Sequence, residues 1–153
     1  MLGMLLDFAN LLLAALLVGT IFGVWLSFNP AGLDAAAYIS QQQHGIRALN
    51  VTMPVMGGLT VLLTMMAAVM ARDDRTRLFC LIGAAAGFLA AGLITRFLNQ
   101  PINTIVITWT ASTPPSDWTH FRDEWWRWHV VRLACGLVGL CLLIIATLKR
   151  AAH

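Results

Sequence analysis

Two arginines stand where a charge is unfavourable. Arg96 and Arg132 each fall within or at the edge of a long apolar run, and a charged side chain inside a membrane span costs about 2.5 to 3.5 kcal/mol even on the lenient insertion scale. Either alone could snorkel to headgroups. Counted from Arg77 and Lys149 at the far ends of their runs, however, the two reach a similar depth, beside Asn99, Gln100, Asn103 and His129. After Pro115, the residues Arg122, Trp125, His129, Arg132 and Gly136 recur at intervals of three and four, which puts all five on one face of a helix. That stripe carries two guanidiniums, an indole and an imidazole. A second imidazole, His44, shares a helical face with Gln41, and Arg47 is close by.

Three chemistries fit two histidines from different helices at the edge of an apolar cavity. They could ligate haem or a metal, with the arginines pairing haem propionates. One could be a general base for a hydrophobic acidic substrate, or both could be interfacial residues hydrogen-bonded for structure. No His-x-x-x-His and no cysteine partner selects a metal, so the cofactor reading stays at none or haem. Asn99 and Asn103 set two amides four residues apart, suited either to capping a helix or to binding a substrate. Of the aromatic cluster Trp118, Phe121, Trp125, Trp126 and Trp128, most reads as an interfacial belt; Trp118 and Trp125, on the arginine face, are assigned to a pocket wall. His120 and His153 have no supporting neighbours and receive no role.

The elements that must position these groups are membrane helices. Of 153 residues, 59% are hydrophobic and 11% charged, too apolar for one soluble core to hide. The expectation is an all-α, integral membrane four-helix bundle, a single membrane domain over 1–153 with spans near 5–28, 51–71, 78–98 and 129–149. The apolar N-terminal stretch reads as a retained span, because it lacks a basic n-region and runs on to Phe28. Basic residues at Arg72, Arg75, Arg77, Lys149 and Arg150 predict a multi-pass protein of the cell inner (plasma) membrane with both termini cytoplasmic. Asp7 is expected near that boundary, paired with a basic side chain.

The longer connections on the other side predict additional helices. One spans Leu33 to Asn50, with Pro54 either kinking it or marking a fresh start. Another lies between Asn99 and Trp109, with Pro101 in its first turn. The last helix is expected from about Asp117 to Lys149. Gly83 and Gly87 frame an Ala-rich Gly-x-x-x-Gly that suits either the seam of the bundle or contact with a second copy or a membrane partner. The three cysteines lie in apolar runs with no CxxC, and read as small buried hydrophobes. The formal charge of +3 is scattered, so nucleic acid is not an expected partner; the lipid bilayer and a hydrophobic small molecule are.

Short motifs along nearly the whole chain carry a resemblance. Gly23-Val24-Trp25-Leu26-Ser27-Phe28-Asn29-Pro30, Gln41-Gln42-Gln43, Met53-Pro54, Asn99-Gln100-Pro101-Ile102-Asn103 and Trp125-x-x-x-His129-x-x-Arg132 resemble the small four-helix membrane family that includes the anthrone oxygenases. The resemblance implies an oxygenase that turns an anthrone into an anthraquinone without a well-established cofactor. Asn99, Pro101 and Asn103 match the family's Asn-x-Pro-x-Asn, and Trp125 and Arg132 its terminal Trp and Arg. His129 departs from the bacterial pattern, where Asn is frequent, and so points to a subgroup with its own ligand.

The expectation is therefore a membrane oxidoreductase of the anthrone oxygenase type acting on a flat aromatic or phenolic molecule at the outer membrane boundary. His44 or His129 would be the base, and Arg96 and Arg132 would stabilise the enolate. Asn99, Asn103, Gln41, Trp125, Arg122 and Trp118 would bind the substrate. Two other classes stay open: a haem or metal redox protein using His44 and His129, and a non-enzymatic membrane subunit or lipid-binding protein.

Overall fold

The computed structural model describes residues 1–151, so His153 lies outside the described residues. Six α-helices account for most of the chain: α1 (Leu2–Ser27), α2 (Ala35–Leu49), α3 (Thr52–Met70), α4 (Arg75–Ile94), α5 (Gln100–Val106) and α6 (Trp118–Ala151). Four stretches are long and apolar enough to cross a membrane, built on α1, α3, α6 and the α4–α5 segment. Lipid offers no partner for backbone amides, so an apolar chain at that depth must bond within each helix. The protein is an all-α membrane bundle of four spans with extra helices at one end.

Local sequence sets the breaks. Asn29 accepts from the Ala31 amide to open a short 3-10 turn, Pro30–Gly32. Asp34 caps α2 by accepting from the Ala37 amide, and Asp74 caps α4 in the same way from Arg77. Pro54 sits in the first turn of α3, where its missing N–H leaves no bond unmade; it marks a fresh start, not a kink. Pro101 acts differently. It cannot donate to the carbonyl of Phe97, and the chain there widens into a π turn, Thr95–Asn99, in which the Gln100 amide bonds to the Thr95 carbonyl. That turn joins α4 to α5.

Around the bundle, α4 packs on α3 and α6, and α1 closes the ring by touching α3 and α6. The α4–α6 seam is close because it is built from glycine. A Cβ on Gly87 would lie 2.9 Å from the Cys135 carbonyl oxygen, and one on Gly139 would lie 3.1 Å from that of Ala84. Gly83 likewise faces Leu142. Gly83 and Gly87 thus both face α6 of the same chain. The cysteines are less covered than expected, with Cys141 exposed and Cys80 and Cys135 half-buried, since small side chains on a bundle in lipid need no burial in protein.

Two separate apolar cores result. One gathers Ala14, Val18, Ala67, Ala68, Leu81, Ala84 and Leu143 in the half nearer the α3–α4 hairpin. The other, at the opposite end, gathers Tyr38, Ile39, Ile102, Val106 and Trp125 and makes a cap of α2, α5 and the start of α6. At the hairpin end, Asp7 accepts from both Arg77 (2.7 Å) and Arg150 (2.8 Å), drawing together α1, α4 and α6.

Candidate functional site

Between the two cores lies a cavity of about 590 Å3, within the range of small-molecule sites. Its inner wall is apolar: Leu17, Val18, Ile21 and Val24 of α1, Val61 of α3, and Phe88 and Leu89 of α4. Its polar side carries Gln41, Gln42 and His44 of α2, Asn50, Arg96, Asn103, His129 and Arg132. The lining holds two arginines and two histidines and, among the described residues, no Asp or Glu.

Arg132 is held entirely by uncharged partners. One guanidinium nitrogen donates to His129 Nδ1 at 2.8 Å, another approaches Thr95 Oγ1 at 3.4 Å, and the group lies 5.6 Å from the centre of the Trp125 ring. Its Nε is buried without a partner. Because guanidinium can only donate, Nδ1 must accept, and the His129 ring is therefore the neutral tautomer with its proton on Nε2. That ring is fully buried and stacked between Trp125 and Trp126, with centroids 5.1 and 5.4 Å away. His44 differs on both counts: it is exposed on the cavity side of α2, and no hydrogen bond among the described residues engages it. Arg96 is also exposed, with no carboxylate partner among the described residues. No group of three His, Cys, Asp or Glu side chains among the described residues is placed to hold a metal ion.

The amides divide in a way the sequence does not disclose. Asn103 Oδ1 accepts from Trp125 Nε1 (2.9 Å) and Gln42 Nε2 (3.3 Å), and so knots α5, α6 and α2 together at the cavity edge. Asn99 is fully buried outside the lining, where its Nδ2 donates to the Trp125 carbonyl at 3.0 Å. Gln41 lines the cavity, but its neighbours secure the cap. Gln42 bonds Asn103, and Gln43 donates to the carbonyls of Val106 and Trp109. Three successive glutamines hint at such anchoring, yet nothing in them says which faces inward.

Arg122 and Trp118 sit above the cavity instead of lining it. Arg122 pairs with Asp123 at 2.7 Å and rests on the Trp118 ring at 5.0 Å, while Trp118 packs on Tyr38. The helical stripe is real, but α6 rises past the cavity roof, and its first turns belong to the cap. Tyr38 is itself fully buried there with an unpartnered hydroxyl, and burial pushes its phenol well above the ordinary range. Thr95, the other uncharged support of Arg132, is also absent from the residues singled out by sequence. Its presence follows from the π turn, which no residue pattern announces.

The arrangement can hold a flat apolar body against α1, α3 and α4 and set fixed positive charge on an oxygen at its edge. No curated protein and no solved structure matches the chain, but the family model described as anthrone oxygenase matches residues 43–142. The match covers 100 of 153 residues and includes His44, Arg96, Asn99, Asn103, Trp125, His129 and Arg132. With almost two thirds of its length under that model, this four-span membrane protein belongs to the anthrone oxygenase family.

Proposed function

We propose that the protein is a membrane oxygenase that oxidises a flat, hydrophobic, enolisable phenolic ketone of the anthrone class. The observation that carries the reading is the cavity's charge: Arg96 and Arg132 line it with no carboxylate beside them. A guanidinium in a low-dielectric wall, held by neutral partners only, is suited to an anion that forms in place.

His44 is the base in this scheme, since its ring is open to the cavity while the Nδ1 lone pair of His129 is already engaged by Arg132. It takes a proton from the ring CH2 conjugated with the carbonyl, and the C–H electron pair passes to the carbonyl oxygen as an enolate. Arg132 and Arg96 stabilise that oxygen. The enolate carbon then gives electrons to molecular oxygen and bonds to it, the peroxide takes a proton, and loss of water leaves a second carbonyl. In sum, CH2 and O2 become C=O and H2O. His129 is a positioning residue that aims Arg132, and Asn103, Gln41 and Trp125 orient the ring system.

The topology proposed with this has both termini cytoplasmic and the cavity near the outer face. Its support is the cluster of Arg72, Arg75, Arg77, Lys149 and Arg150 at the hairpin end. The test is turnover of a hydroxylated anthrone by protein in proteoliposomes, followed as oxygen uptake and quinone absorbance. Arg132→Gln should lower the rate by about 10²-fold, the usual loss for one oxyanion donor, and His44→Ala should lower it while leaving the helical circular dichroism intact. Wild-type rates in both variants would remove these residues from the mechanism.

A further inference from the structure

We infer that the cavity opens sideways into the bilayer, through a cleft between α3 and α4 that Gly58 and Gly92 keep clear, so that its occupant arrives dissolved in lipid. The argument begins with burial along single helical faces. On α4, Leu81, Ala85, Phe88, Gly92 and Arg96 succeed one another at intervals of three and four, which is one face. The first three are buried, and the last two are exposed. On α3, Ala68, Val61, Gly58 and Pro54 share a face, and burial falls in the same direction, from buried Ala68 through half-buried Val61 to exposed Gly58 and Pro54. The two helices therefore meet through alanines near their hairpin and part from each other toward the cap.

The parted stretch is also cavity wall: Pro54, Gly58, Val61, Leu89, Gly92 and Arg96 all line the cavity. A Cβ built on Gly58 or Gly92 meets nothing within 4 Å, in contrast to Gly87 about one and a half turns lower on α4. α2 rests on α5 and on α3, and so roofs the cap end of the cavity. Gly92 lies about 25 Å of helix from Arg75 and Arg96 about 31 Å, against a hydrocarbon thickness of about 30 Å. The gap is thus within the depth of the acyl chains, and Arg96 stands at the headgroup end of it. That order, apolar slot below and cation above, suits a lipid-dissolved aromatic with one phenolate or other anionic group, whose ring slides between the helices while its charge stays with Arg96. Which molecule uses the opening rests on the oxygenase reading; the opening does not.

The experiment needs no substrate. Unaltered protein in vesicles of phosphatidylcholine carrying a diazirine in the acyl chain is irradiated, and the adducts are mapped by mass spectrometry. Adducts are expected on inward residues, Ile21 and Val61, as well as on the outward stripe of Leu93 and Phe97. Gly92→Phe should abolish the inward adducts and leave the outward ones. Adducts confined to Leu93 and Phe97 in the unaltered protein, or inward adducts that survive Gly92→Phe, would overturn the inference. Inward labelling together with absent anthrone turnover would keep the opening and discard the oxygenase reading; the reverse pair would do the opposite.

Discussion

At the scale of single residues, the site is a matter of who holds whom. Arg132 is charged, but its three neighbours, His129, Thr95 and Trp125, are neutral, so its field is not cancelled before a ligand arrives. The cap's Tyr38 offers a probe of the region, because it is the one tyrosine in the chain. Desolvation by burial raises its pKa, only partly opposed by Arg122. A phenol free in water is half-ionised near about pH 10. In the folded protein it should stay protonated well past that point, as an absorbance titration would show. A group whose folded pKa is raised contributes stability that is complete below the unfolded value, and so the cap should weaken only as pH climbs beyond about 10. Sequence resolves this scale unevenly. The spacing of Trp125, His129 and Arg132 on one helix face identifies a shared wall. Whether Gln41, Gln42 or Gln43 points inward depends on how α2 is rolled over α5, a tertiary choice that no local pattern encodes.

At the scale of elements, glycine does two opposite jobs on α4. Gly87 admits the backbone of α6, and Gly92 leaves an opening. Gly87→Ala should therefore destabilise the protein by about 1 to 3 kcal/mol, the usual range for overpacking. Gly92→Ala, whose methyl meets nothing, should leave the melting temperature in detergent unchanged or slightly raised. Equal losses from both would mean that the α4–α6 seam is not the close contact described. The four spans are legible in the sequence because hydrocarbon enforces helix on any apolar run of that length. The helix over Leu33 to Asn50 is legible from its breakers, and α2 occupies Ala35–Leu49. The π turn at Thr95–Asn99 is not. Pro101 announces a disturbance but not its form, and a start of helix at Asn99 is what its position suggests. Because of that turn, Asn99 rotates into the α6 contact while Asn103 alone of the pair reaches the cavity.

At the scale of the whole molecule, one carboxylate fastens three spans. Asp7 and Arg77 are almost wholly buried, with side-chain exposures of 6% and 9%, and Asp7 also holds Arg150. Asp7→Asn would strand a buried guanidinium, for which a loss of about 3 to 5 kcal/mol is typical. Thermal unfolding in detergent micelles measures it, and a shift of under a degree would show that the ion cluster contributes little. The bundle is read from sequence because each span belongs to a contiguous segment. The void is not, since it is bounded by residues from all six helices and exists only once the faces diverge. That void divides the apolar interior into two bodies with little shared packing, one made of Ala14, Leu81 and Leu143, the other of Tyr38, Ile39 and Val106. Heating should then produce two melting events instead of one. Amide protons of α2 and α5 should exchange with deuterium long before those of the spans, and any molecule that fills the gap should merge the two transitions by bridging the halves.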